Sequence, residues 1–259
     1  MIFDKQKNKV YIVGILNATP DSFYDGGQFC NIEKAVNRAK EMIAEGADII
    51  DVGGMSTRPG HTEVSDDLEI ERTSSVIAAI KKVMPDTKIS IDTYKSSVAA
   101  NAIKSGAFMV NDVWGLQYDS SMASLIASSG AMCVLMHNSS TEKPSNLSTL
   151  EWIVAGFNNS LDLAKKAKIK KEKIILDIGI GFGKKTVEQN LQAIKAIDKL
   201  KKLGYPIYVG LSNKSFLGGD KNDRLEKTIA KNLQAINLGA TYIRVHNVKE
   251  HYKALFPKP

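Results

Sequence analysis

Eight short apolar runs recur along this chain, and longer stretches with apolar residues at helical spacing separate them. The runs are 10–16, 49–52, 88–91, 108–110, 131–136, 174–176, 206–211 and 241–245. A short run of this kind reads as a strand buried on both faces, as in a parallel sheet. The intervening stretches predict helices over about 31–45, 65–84, 96–104, 119–128, 148–168, 186–203, 224–238 and 249–256. In the first, Ala35, Ala39, Met42 and Ile43 share one face, with Asn31 as the predicted cap. In the second, Ser65 is the predicted cap and Leu68, Ile70, Val76, Ile77 and Ile80 recur at helical spacing. Gly46, Gly106, Gly130, Gly204 and Gly239 stand where helices should stop.

Eight strands alternating with eight helices, with no linker or low-complexity tract, predict one α/β domain over residues 1–259. The expected architecture is a single (β/α)8 TIM barrel. An open doubly wound sheet is the alternative. No Gly-x-Gly-x-x-Gly follows the first strand, as dinucleotide binding on such a sheet would need. Gly179 to Gly183 resembles that pattern only superficially, and it follows the sixth strand.

Composition narrows the class. The chain has 259 residues, 43% hydrophobic and 24% charged, as expected of a soluble globular protein. No apolar stretch approaches the length of about 18 residues that a membrane span needs. Residues 1–9 lack the apolar core of a signal peptide. Cys30 and Cys133 have no metal or redox spacing, which predicts free thiols and a cytoplasmic location. The net charge of +7 is nearly all lysine on predicted helix faces, such as 165–173 and 195–202. Those runs lack interleaved aromatics, which argues against nucleic acid as a partner.

Each predicted strand but the second ends directly in a polar or ionisable residue, and the second reaches Thr57 and Arg58 through Gly53-Gly54. The set is Asn17, Thr57, Arg58, Asp92, Asn111, His137, Asp177, Lys214, Arg244 and His246. In a barrel these ends converge on the face that carries the active site. Asp92, Asn111, Asp177 and Lys214 combine acceptors and donors suited to a flat heterocycle with amide and amino edges. Asn17, Thr57, Arg58, Arg244 and His246 suit an anion, and the ends of strands seven and eight are the usual phosphate corner of this fold. Ser215 stands where a short helix would open toward a second anion. His137 reads either as a member of this set or as a satisfied core histidine, the latter being favoured.

Longer motifs run through the same positions. Gly14-Ile-Leu-Asn-Ala-Thr-Pro-Asp-Ser-Phe23 with Asp25-Gly-Gly27, then Gly53-Gly-Met-Ser-Thr-Arg-Pro-Gly60, resemble the two signatures of the dihydropteroate synthase family. Ile89-Ser-Ile-Asp-Thr93, Val110-Asn-Asp-Val113, Leu135-Met-His137, Asp177-Ile-Gly-Ile-Gly-Phe-Gly-Lys184, Ser212-Asn-Lys-Ser-Phe216 and Arg244-Val-His246 continue the match in order. The resemblance implies a barrel enzyme, usually a homodimer, that joins 6-hydroxymethyl-7,8-dihydropterin pyrophosphate to 4-aminobenzoate. It implies a pterin site of Asp92, Asn111, Val113, Met136, Asp177, Phe182 and Lys214. Asn17, Arg58, Arg244 and His246 would face the pyrophosphate, with Mg²⁺ beside Asn17. Thr57, Arg58 and Ser215 would face the aminobenzoate, a site of the kind sulfonamides target. Asp92, Asp177, Lys214, Arg244 and His246 would carry the chemistry. Loops 18–27 and 56–61 would close over the reacting centre.

Three residues depart from the family pattern. Met55 replaces a common Glu, Ile178 a usual Pro, and Asn213 a usual Arg, which removes a cation beside the anion sites. Two rivals stay in view. One is a pterin-binding methyltransferase domain that presents methyltetrahydrofolate to a corrinoid protein. The other is a homologue that binds pterin or a protein partner without turnover.

Overall fold

The computed structural model describes residues 10–18, 28–55, 64–139 and 141–257. Among them strands and helices alternate as β1 (Tyr11–Asn17), α1 (Gln28–Ala44), β2 (Ile49–Gly53), α2 (Asp66–Val83), β3 (Ile89–Asp92), α3 (Ser96–Lys104), β4 (Met109–Asp112), α4 (Met122–Ser129), β5 (Met132–Met136), α5 (Thr149–Lys166), β6 (Ile174–Asp177), α6 (Val187–Leu200), β7 (Ile207–Val209), α7 (Lys221–Leu238), β8 (Tyr242–Val245) and α8 (Val248–Leu255). The strands close in chain order into one parallel barrel, β1 pairing with both β2 and β8. The predicted (β/α)8 TIM barrel is therefore the fold.

Boundaries moved where local chemistry overrode periodicity. The first helix begins at Gln28, three residues before the predicted cap Asn31. Ser65 does cap α2, its hydroxyl accepting from the Leu68 N–H. The predicted seventh strand, 206–211, stops at Val209. Lys214 therefore lies on a loop, one residue before a 3₁₀ turn, Ser215–Leu217. The fourth strand extends through Asn111 and Asp112, and the third takes in Asp92, so these groups are held on strands.

Two layers of apolar packing fix the barrel. The larger fills the space between strands and helices, with Ile50, Val52, Ile91, Leu135 and Leu176 meeting Ala39, Ile77, Phe157 and Ile197. The smaller fills the barrel interior with Val13, Ile49, Met109, Val134, Ile175 and a tyrosine stack. Tyr11 and Tyr242 stack at 4.8 Å, and Tyr208 lies 6.1 Å from Tyr242. Side chains alternate along a strand. Residues two further on from these interior positions therefore face the same way, nearer the C-terminal mouth. Ile49 leads to Asp51, Met109 to Asn111, Val134 to Met136, Ile175 to Asp177, and Tyr242 to Arg244. Period two thus changes the interior from apolar to polar or ionisable near the ends of β2, β4, β6 and β8, while β5 presents Met136.

Candidate active site

Arg244 on β8 joins two carboxylates across the barrel. Its Nε donates to Asp51 Oδ2 on β2 at 2.6 Å, and its Nη2 donates to Asp92 Oδ2 on β3 at 2.6 Å. Asn111 Nδ2 on β4 donates to the same Asp51 oxygen at 3.1 Å. Asp51, Asp92 and Asn111 are buried, while Arg244 keeps 21% of its side chain exposed. Asp51 Oδ1, Asp92 Oδ1 and Asn111 Oδ1 are buried with no protein partner. Such acceptors are costly to leave unmade. Three of them together suit a ligand edge rich in N–H donors.

Burial pushes the Asp92 carboxyl up to about 7, with Arg244 opposing the rise and Asp51 adding to it. Asp177, at the end of β6, is raised to about 6 by burial, against the pull of the Gly179 N–H and then of Lys214. The Gly179 N–H donates to Asp177 Oδ1 at 2.8 Å. Gly179 has φ +63, and a Cβ there would meet the His137 carbonyl oxygen at 2.0 Å, so only glycine fits this turn. The Lys214 ammonium sits 4.3 Å from the Phe182 ring centroid, the distance of a cation–π contact.

An apolar cluster separate from both cores lies beside these groups, formed by Met55, Tyr94, Val113, Met136 and Phe182. Each comes from the end of a different strand or the loop after it. The mouth thus pairs unmet acceptors with apolar side chains, the usual make-up of a small-molecule site.

The other predicted residues are placed as follows. His246, just past β8, is half-buried. Its Nδ1 lies 2.9 Å from Ser212 Oγ and 3.4 Å from Asn213 Nδ2. Asn213 has φ +59, a left-handed conformation that Asn tolerates better than most residues. Asn17 ends β1 and is exposed, and Ser215 is exposed in the 3₁₀ turn. Thr57 and Arg58 lie outside the described residues, as do most of loops 18–27 and 56–61.

His137 is not a mouth residue. It is 2% exposed behind β5, edge-on to Trp152 at 4.7 Å and bonded to Lys184. Burial and the Lys184 charge hold its pKa down at about 3, so it is the neutral core histidine favoured above. Sequence reasoning missed Asp51 and Lys184 as site residues. Asp51 had a signal, since a carboxylate inside a fully buried strand needs a paired cation.

The closed parallel barrel and a mouth of buried carboxylates, a guanidinium and apolar side chains define a small-molecule enzyme of the TIM-barrel class. A family model described as pterin binding enzyme matches residues 13–246. The dihydropteroate synthase of Clostridium beijerinckii is 48% identical over 251 residues, covering 95% of this chain and 92% of that protein. That of Bacillus subtilis is 42% identical, covering 94% and 86%. A crystal structure of the Clostridium difficile dihydropteroate synthase in the presence of pteroic acid superposes with a TM-score of 0.92 at 47% identity, covering 97% of this chain and 96% of that one. The Xanthomonas albilineans dihydropteroate synthase with 4-aminobenzoic acid gives 0.89 at 33%, covering 96% and 91%. The chain belongs to the pterin-binding enzymes, and within them to the dihydropteroate synthases. No helix among the described residues is long and apolar enough to cross a membrane.

Proposed function

We propose that the mouth condenses 6-hydroxymethyl-7,8-dihydropterin pyrophosphate with 4-aminobenzoate, giving 7,8-dihydropteroate and pyrophosphate. One observation carries this reading. The unmet acceptors of Asp92 and Asn111 lie beside the apolar cluster of Val113, Met136 and Phe182. A pterin is flat, apolar on its faces and rich in N–H donors on its edge. Asp92, Asn111 and Asp177 would accept from that edge, Lys214 would donate to its acceptors, and Phe182 and Met136 would cover the ring. Asn17, Arg58, Arg244 and His246 would take the pyrophosphate. Thr57, Arg58 and Ser215 would lie toward the aminobenzoate.

The chemistry follows from the charges. The C–O bond at the pterin methylene breaks, and pyrophosphate leaves with the electron pair. Arg244 and His246 would offset its growing charge. The cation left at the methylene is delocalised into the ring, and the carboxylates of Asp92 and Asp177 favour it. The amine of 4-aminobenzoate, neutral near pH 7, gives its lone pair to the methylene. It then loses one proton to solvent, so no strong general base is required.

Mg²⁺ fits as a substrate-borne ion. Among the described residues no group of three or more His, Cys, Asp or Glu could hold a metal. Asn17 offers an exposed hard oxygen at the mouth, and one side chain plus substrate phosphate oxygens is a common way to hold Mg²⁺. When bound there it would supply charge to offset the departing pyrophosphate. The family resemblance also supports a homodimer and a cytoplasmic location; sedimentation and cell fractionation check these.

The test is turnover. Purified protein with both substrates and Mg²⁺ should release pyrophosphate and 7,8-dihydropteroate in equal amounts. Binding of the pterin without product would favour a non-catalytic homologue, and transfer of a methyl group from methyltetrahydrofolate would favour the methyltransferase reading.

A further inference from the structure

Lys184 closes the β6–α6 loop and is 3% exposed. Its Nζ donates to the Gly179 carbonyl at 2.9 Å and to the Phe182 carbonyl at 3.2 Å, and lies 3.0 Å from His137 Nδ1. The two carbonyls belong to the loop that carries Phe182 and, through the Gly179 N–H, holds Asp177 Oδ1. The histidine belongs to the neighbouring strand end and is fixed by the Trp152 ring. One nitrogen thus ties the loop to itself and to the barrel wall. Nothing else in the proposed chemistry uses it, and burying an amino group is costly without a full set of partners.

The tie survives a change of proton count. As an ammonium, Lys184 donates to all three partners. As an amine, it donates to the two carbonyls and accepts from an Nδ1–H of the other imidazole tautomer. Burial lowers its pKa to about 7, so both forms are within reach near neutrality. On the far side, Asn190 of α6 accepts from the Gly181 N–H at 2.8 Å and donates to the Lys184 carbonyl at 3.0 Å. The loop is held from two sides, and the Lys184 side ties it to His137, the residue after Met136.

We propose that Lys184, acting with His137, is a positioning residue for the pterin pocket: it fixes the loop so that the Asp177 carboxylate and the Phe182 ring are set before ligand arrives. This rests on the pterin reading of the mouth. Lys184→Met keeps length and removes the donors. Titrating pterin pyrophosphate into the variant should show binding weakened roughly tenfold or more, as losing buried hydrogen bonds predicts. The KM for 4-aminobenzoate should be unchanged. His137→Phe keeps a ring without the acceptor and should weaken pterin binding severalfold. His137→Asn keeps an acceptor near the Nδ1 position and should restore most of it.

If Lys184→Met does not fold, the two His137 variants decide the matter. Equal pterin affinity in wild type, His137→Phe and any folded Lys184→Met overturns the proposal and leaves Lys184 as scaffold only. Parallel losses for pterin and aminobenzoate would also overturn it. Failure of the wild type to bind pterin pyrophosphate is a different result, since it removes the pterin reading itself.

Discussion

Arg244 Nη2 on β8 donates to Asp92 Oδ2 on β3 at 2.6 Å. The same guanidinium holds Asp51, so one cation serves two buried carboxylates. Removing it should expose the cost of that arrangement. Arg244→Met should lower stability by about 3 kcal/mol, the lower end for a broken buried pair because the arginine is one-fifth exposed. Adding Asp51→Asn should recover part of the loss. Denaturant midpoints of the two variants check this, and an additive double variant would show that the residues act separately.

Asp177 and Asp92 have carboxyls raised to about 6 and about 7 by burial. Only the ionised forms accept from a donor edge with both oxygens. Pterin affinity should therefore fall as pH drops from about 7 through 6. For stability the sign is reversed. Folded carboxyls with raised pKa keep protons that the unfolded chain has lost, so their contribution favours the fold at acid pH and is lost as pH rises through 6 to 7. Calorimetric titrations between pH 5 and 8 test the binding limb, and Asp177→Asn should flatten its lower part.

Lys184 shifts the other way. Its folded pKa of about 7 lies below its ordinary 10.5, so between those values the unfolded chain holds the extra proton. Stability from this group should rise with pH across that window. The thiol of Cys133 and the Tyr208 hydroxyl, both pushed up by burial, oppose the rise at high pH. The difference between wild type and Lys184→Met isolates the lysine. It should grow in favour of wild type from pH 7 to 9; a flat difference would mean the lysine is not buried in solution.

Mg²⁺ should bind this protein measurably only when pyrophosphate or the pterin pyrophosphate is present, because Asn17 offers a single protein oxygen. Titrating Mg²⁺ with and without pyrophosphate checks this. Equal affinity in both would call for a protein cage that the described residues lack.

Much of the fold was legible because buried parallel strands leave uninterrupted apolar runs, and glycines such as Gly46 and Gly130 mark helix ends. Polar residues at the strand ends pointed to Asp92, Asn111, Asp177 and Lys214 as one group and set Arg244 apart with the anion-binding residues, whereas Arg244 bonds to Asp92 itself. Their partners were less visible. Asp51 is encoded as one charge in an apolar run, and only closure of the barrel brings it to Arg244, 193 positions away. Lys184 looked like any lysine after a glycine-rich loop, because its burial depends on α5 packing behind His137. His137 occupied a strand end yet turned outward, since the strand period carries Met136 into the mouth and its neighbour into the wall.

The most direct test of the account is the affinity of pterin pyrophosphate for wild type and for Asp177→Ala, measured by calorimetry at pH 7.5. The wild type should bind, and the variant, folded by circular dichroism, should show no measurable binding. A lost bond to a charged group costs about 1.5–3 kcal/mol, and its unpaired partner adds to that. Unchanged affinity in the variant would contradict the placement of the pterin at this mouth.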